Sequence, residues 1–261
     1  MNISDIKKQI INNPFHYFNL SEELKSNKAI IMTLLSASGS FIKFVDKKFK
    51  NDIDIVKQAV KSEGYSIQYF DEIYKTNVDV ITIAVENNGL ALYFASEEIR
   101  ANKEIVLKAV KNDGLSLRFA SPIMRDDKEV VSMAITNNPI AFQTASKNLK
   151  KDIDIIKLSI KNYSKNFLYI YEELQNQKEF VKELISINGF IYEYISDTLK
   201  IDSDIAKIAF DKEGYTIQFA PPEIQNDLAL VMVALKQYPP AIRFLKYITS
   251  ENKKLLKIIE Q

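Results

Sequence analysis

The single histidine of this 261-residue chain, His16, stands between Phe15 and Tyr17, and the chain has no cysteine. A lone imidazole could serve as a general base or as one ligand of a metal. It has no second His and no Cys to complete a zinc set, so packing at the start of the chain is the expectation. Two charged columns also invite a chemical reading. Acids recur at Asp54, Asp79, Glu104, Glu129, Asp154, Glu179 and Asp204, as a carboxylate ladder for cations would. Bases recur at Lys25, Lys50, Lys75, Arg100, Arg125, Lys150 and Lys200, as a track for a phosphate backbone would. The acids stand where the first turn of a helix favours negative charge, with Lys57, Lys157, Lys182 and Lys207 three residues on as partners. Each base from Lys50 to Lys200 precedes an acid of the following helix by four residues, which predicts local neutralisation. No phosphate-cradling glycine loop, HExxH or GxSxG occurs. The chain is expected to be no enzyme and to hold no metal and no cofactor.

What positions these columns is a repeat. All six glycines, Gly39, Gly64, Gly89, Gly114, Gly189 and Gly214, are separated by multiples of 25, and the same phase holds Pro14, Pro139, Ser164 and Pro239. One phase filled this way by accident has odds on the order of one in ten million. Thirteen residues on come Asn27, Asp52, Asn77, Asn102, Asp127, Asp152, Gln177, Asp202, Asp227 and Asn252, nearly all of the types that cap helix N-termini. A helix of ten or eleven residues is predicted from there to the glycine, with pairs such as Ile105-Val106 and Ala109-Val110 as its buried stripe. The glycine is expected to close it in a left-handed C-cap. A small column, Ala59, Ala84, Ala109, Ala134, Ser159, Ala209 and Ala234, lets neighbouring helices approach.

The segment after each glycine reads as a short helix in which Leu117, Ala120 and Met124 make a stripe, rather than as the strand of a leucine-rich horseshoe. Acids after a serine, as in Ser96-Glu97-Glu98, start a further short turn. The expected fold is all-α: a right-handed or curved α-solenoid of ten 25-residue helical repeats forming one domain over residues 1–261. Asn2 caps the first long helix, and Asn252 is expected to cap a last one carrying Leu255, Leu256 and Ile259.

Lys plus Arg number 35 against 34 Asp plus Glu, so no global field draws the chain to nucleic acid or to an anionic membrane. The N-terminus lacks a basic region, apolar run and small-residue cleavage site, and no stretch suits a membrane span. The expectation is a soluble monomer without a conventional export signal or a membrane partner.

Residues 102–121, NKEIVLKAVKNDGLSLRFAS, and the preceding GLALYFASEEIR resemble the helical repeat family filed as domain of unknown function 4116. The resemblance is strongest around Gly64, Gly89, Gly114 and Gly214 and departs at Pro14, Pro139, Ser164 and Pro239. The family is known from intracellular bacteria with secreted effectors and from large DNA viruses. That implies an effector or host-interaction module, cytoplasmic or delivered into a host cytosol, and no catalytic residue is carried over.

In a solenoid the columns that keep their type build the fold, and those that vary are free to recognise a partner. The varied column within the short helix runs Phe18, Lys43, Gln68, Tyr93, Arg118, Gln143, Leu168, Glu193, Gln218 and Arg243, rich in interface-prone types. A second candidate is the irregular repeat at Ser164, where Tyr163, Tyr169, Tyr171, Tyr192 and Tyr194 stand near Lys157, Lys161 and Lys165. The aromatics at Phe44, Tyr69, Phe94, Phe119, Tyr194 and Phe219 are expected in the core. The expected function is a non-catalytic scaffold for a protein partner of unknown identity. Nucleic-acid binding by the Lys/Arg ladders is the alternative.

Overall fold

The computed structural model describes residues 2–250 and Asn252. The helix expected over Leu255, Leu256 and Ile259 lies outside the described residues. Ten α-helices of ten residues each recur among the described residues: Ile3–Asn12, Lys28–Ala37, Ile53–Ser62, Val78–Asn87, Lys103–Asn112, Lys128–Asn137, Ile153–Asn162, Lys178–Ile187, Ser203–Lys212 and Leu228–Gln237. Each is followed by a 3-10 helix opening at the glycine phase, such as Gly64–Tyr69, Gly89–Phe94 or Gly114–Phe119. Except in the last repeat, a third, shorter turn of α or 3-10 type then leads to the next long helix. No strand occurs among the described residues, so the horseshoe reading falls and the fold is an all-α helical repeat.

The packing divides the chain into an N-terminal body, Met1–Ser146, and a C-terminal body, Lys147–Gln261. Within the N-terminal body each long helix packs on the next in chain order, and the 3-10 helices form a second stacked layer beside them. The C-terminal body repeats the arrangement from Ile153–Asn162 to Leu228–Gln237. Single repeats of this size cannot bury their own apolar stripe, so the stack makes the core. In Lys103–Asn112, Ile105, Val106, Ala109 and Val110 are all buried.

The capping column does what its chemistry predicts. The carboxylate of Asp127 accepts from the N–H groups of Glu129 and Val130, each at 3.0 Å, filling donors that the first turn leaves without a partner. Asn2 caps the first helix in the same way, through Asp5 N–H at 2.9 Å. Gln177, the one member that is neither Asp nor Asn, makes no side-chain cap. Its longer side chain does not suit that geometry.

The glycines are a correction. None has a positive φ, so the left-handed cap is not formed. The chain leaves each long helix through an extended residue, Asp113 at φ −143° and ψ 112° before Gly114. What requires glycine is proximity: a Cβ on Gly114 would drive into the backbone carbonyl of Ala134, one repeat on, and sit 2.9 Å from the Asn138 nitrogen. Gly39, Gly64, Gly89 and Gly214 meet the carbonyls of Ala59, Ala84, Ala109 and Ala234 in the same manner. The glycine and alanine columns are therefore the two sides of one contact. Where the alanine phase carries leucine, as at Leu34 and Leu184, the partner phase holds Pro14 and Ser164 instead of glycine.

An amide column completes the joint. Asn112 Oδ1 accepts from Gly89 N–H at 2.7 Å, and Asn112 Nδ2 donates to the Glu86 carbonyl at 2.9 Å. Asn87, Asn137 and Gln237 make the equivalent pair to Gly64 and Lys61, Gly114 and Lys111, and Gly214 and Lys212. Each amide thus ties the C-terminus of its own helix to the glycine and the last helical carbonyls of the preceding repeat. Pro14, which has no N–H to offer, is matched by Ala37 at the amide phase.

Charge pairs also cross between repeats more than expected. Lys57 reaches Asp79 at 3.2 Å and Lys157 reaches Glu183 at 2.5 Å, each in the following repeat, and only Lys182 is found on its predicted acid, Glu179, at 3.4 Å. Lys178 bridges Asp202 at 2.6 Å and Asp204 at 3.9 Å. That hydrogen bond holds the Asp202 carboxyl below its ordinary value.

Candidate binding surface

The 3-10 helices decide which columns face outward. With about three residues per turn, the third and sixth residues after the glycine fall on one face. In the repeat of Gly114 these are Leu117 and Ala120, both buried, with Ser116 buried beside them and Met124 continuing the expected stripe. The first and fourth residues after the glycine share another face, with the fifth next to it, and that face carries the varied column.

In the N-terminal body the varied column is largely displayed: Phe18, Lys43, Gln68, Tyr93 and Arg118 are exposed, and Gln143 is half-buried. Tyr93 is 57% exposed although its ring touches two others edge-on, Phe94 at 5.0 Å and Phe119 at 5.1 Å between centroids. The guanidinium of Arg118 lies 4.6 Å from the centre of the Phe119 ring. Toward the N-terminus Phe15, Phe18, Phe41 and Phe44 form a further cluster, with Lys43 Nζ 4.8 Å from the Phe44 centroid.

These contacts overturn the core placement expected for the aromatic column. Phe44 is 48% exposed, and Tyr69, Phe94, Phe119, Tyr194 and Phe219 are half-buried rather than enclosed. An α-helical period hid this. The 3-10 period sets the column beside the varied one, giving a strip of aromatic rings interleaved with cations. His16 lies in the first 3-10 helix, Pro14–Asn19, and is half-buried. No group of three or more metal-ligating side chains occurs among the described residues.

The C-terminal body shows the same strip around Tyr215, which contacts Phe190, Phe219, Tyr238 and Phe244, with Arg243 5.0 Å from the Phe244 ring centre. Leu168 and Arg243 of the varied column are exposed, and Glu193 and Gln218 are half-buried. The tyrosines at the irregular repeat are not brought together as one site. Tyr192 is fully buried and donates its hydroxyl to the Lys200 carbonyl at 2.7 Å, and burial pushes its phenol well above the usual range. Tyr163 ends a long helix, half-buried. Tyr169 and Tyr171 are displayed, with Lys150 and Lys151 over their rings at 5.9 and 3.8 Å.

The basic column is neutralised differently from expectation. Lys75 and Lys200 turn back to the acid three residues earlier, Glu72 at 2.6 Å and Asp197 at 3.9 Å, rather than forward to the next helix, and Lys25 pairs with Glu22 at 3.0 Å in the same way. The pattern holds neither at Lys50 and Lys150, where a lysine stands three residues earlier, nor at Arg100 and Arg125. Both arginines line a cavity of about 570 Å³ together with Arg118.

No helix among the described residues is long and apolar enough to cross a membrane. A model of the family Domain of unknown function (DUF4116) matches residues 30–75, 77–125, 127–175, 152–200, 177–225 and 202–250, which is more than half of the chain. No curated protein and no solved structure matches it.

Proposed function

Because the chain belongs to this family of unknown function, and its repeat makes up nearly all of the described structure, we propose that it is a binding scaffold that takes a polypeptide along the outward face of its 3-10 helices. The observation that carries this reading is Tyr93, held between Phe94 and Phe119 beside Arg118 yet open to solvent. Rings pre-positioned by their neighbours lose little entropy on binding, and aromatic and arginine side chains dominate the energy of protein interfaces. The cations among the rings favour a partner with apolar and acidic side chains. The ladder reading for nucleic acid is weaker, since Lys25, Lys75 and Lys200 are each held by an acid. A chain without cysteine suits a reducing compartment, and in this reading the partner is met in a cytosol, the cell's own or that of a host.

The test is a selection of peptides from a random library on the immobilised chain. Acidic, apolar sequences should be enriched, and they should bind the Tyr93→Ala variant at least about tenfold more weakly. Failure to enrich any sequence, or equal binding to the variant, would remove this face as the binding surface.

A further inference from the structure

We propose that the cavity of about 570 Å³ lined by Arg100, Arg118 and Arg125 is a binding site for a phosphomonoester. Three arginines line one concavity of the N-terminal body, with Phe119, Ser121 and Glu97 completing its wall. The Nε–H groups of Arg100 and Arg125 are shielded from solvent and have no acceptor among the described residues. A buried donor on a charged group with nothing to bond is costly, and such a donor marks a place where a ligand, an ion or water can supply the acceptor.

The basic column is not neutralised uniformly, since Lys50 and Lys150 have Lys47 and Lys147 three positions earlier. Where Lys25, Lys75 and Lys200 are the basic residue, the acid three positions earlier neutralises it. Three residues before Arg125 the chain has Pro122, so that acid is missing. Three residues before Arg100 stands Glu97, which lines the cavity and forms no ion pair with it. Here, too, the column changes from lysine to arginine, and a third arginine arrives from the varied column. Arg118 is laid against the Phe119 ring, which fixes its plane. A guanidinium offers two parallel N–H donors that fit two oxygens of a phosphate, whereas lysine offers a point charge. One carboxylate against three guanidiniums leaves the wall net cationic, and a dianion with three free oxygens suits it better than a carboxylate does.

The proposal rests on the scaffold reading only for the origin of the phosphate, as a modified side chain of the bound polypeptide. The cavity itself is testable without any partner. Isothermal titration of the full chain would use free O-phosphoserine and a phosphoserine heptapeptide, with the unmodified heptapeptide as reference. Saturable binding of the phosphorylated probes and none of the unmodified peptide is expected, weakened at least about tenfold in Arg100→Gln, Arg125→Gln. Tighter binding of the peptide than of the free amino acid identifies a partner-borne phosphate, and equal affinity a small-molecule one. Arg118→Gln, an exposed position, and Arg125→Lys, which keeps the charge but loses the fork, should each weaken binding even if the double variant does not fold. Absence of saturable binding below about 10 mM, or equal binding by folded variants, would overturn the proposal. Neither outcome bears on the peptide selection, whose variant residue Tyr93 does not line the cavity.

Discussion

Alanine at Gly114 is expected to destabilise the chain by about 3 kcal/mol, seen as a fall of roughly 6–12 °C in the thermal midpoint. The new methyl group has nowhere to go. It meets the Ala134 carbonyl and the Asn138 nitrogen, both backbone, so relief requires the two repeats to separate. Conformation alone would forecast something milder, because Gly114 has no positive φ and alanine is acceptable to such backbone. Gly189 supplies the comparison within the same molecule. Its added Cβ would lie 3.0 Å from Glu213 Cγ and 3.1 Å from the Ala209 carbonyl oxygen, so a small shift of a flexible side chain accommodates most of it. Gly189→Ala should therefore cost about 1 kcal/mol or less. Equal losses at the two positions would contradict the close-approach account.

The second large effect is expected at Asn112→Ala, a loss of about 2 kcal/mol in urea unfolding. Two hydrogen bonds to the preceding repeat vanish together, and Gly89 N–H is left without its acceptor in a part-buried joint. Asn112→Asp separates the two halves of the interaction, since a carboxylate still accepts from Gly89 N–H but has no N–H for the Glu86 carbonyl. Its cost should fall between those of wild type and alanine. An alanine variant as stable as the parent would show that the amide is dispensable.

The repeat, its phase, the capping column and the buried stripe of each long helix are all legible in the sequence, because single residue types with strong backbone consequences recur at fixed spacing. Asp127 and Asn102 cap helices in the structure as their chemistry says they must. The meaning of the glycines is not legible in one repeat taken alone. Gly114 looks like a C-cap until Ala134 is seen beside it, and only the pairing of the two columns, glycine with alanine and Pro14 or Ser164 with leucine, carries that signal. The amide column was open to the same reading, in Asn87, Asn112 and Asn137 at one phase.

The surface was half visible. Variability picked out Tyr93, Arg118 and Arg243 as outward residues, and they are exposed. An α-helical period places Phe94 and Phe119 in the core, whereas the segment winds with three residues per turn and leaves them half-buried. The arginine cavity joins the basic column to the varied one. Neither column alone contains it, because Arg100 and Arg118 come from different repeats that meet only when stacked.

The central claim, that side chains of one repeat satisfy the backbone of the one before it, can be measured residue by residue through amide hydrogen exchange. The N–H at the first position of a helix normally has no partner within it and exchanges quickly. The account predicts that Gly64, Gly89, Gly114 and Gly214 exchange slowly, protected by Asn87, Asn112, Asn137 and Gln237. Exchange at these four glycines as fast as in an unfolded chain would contradict it.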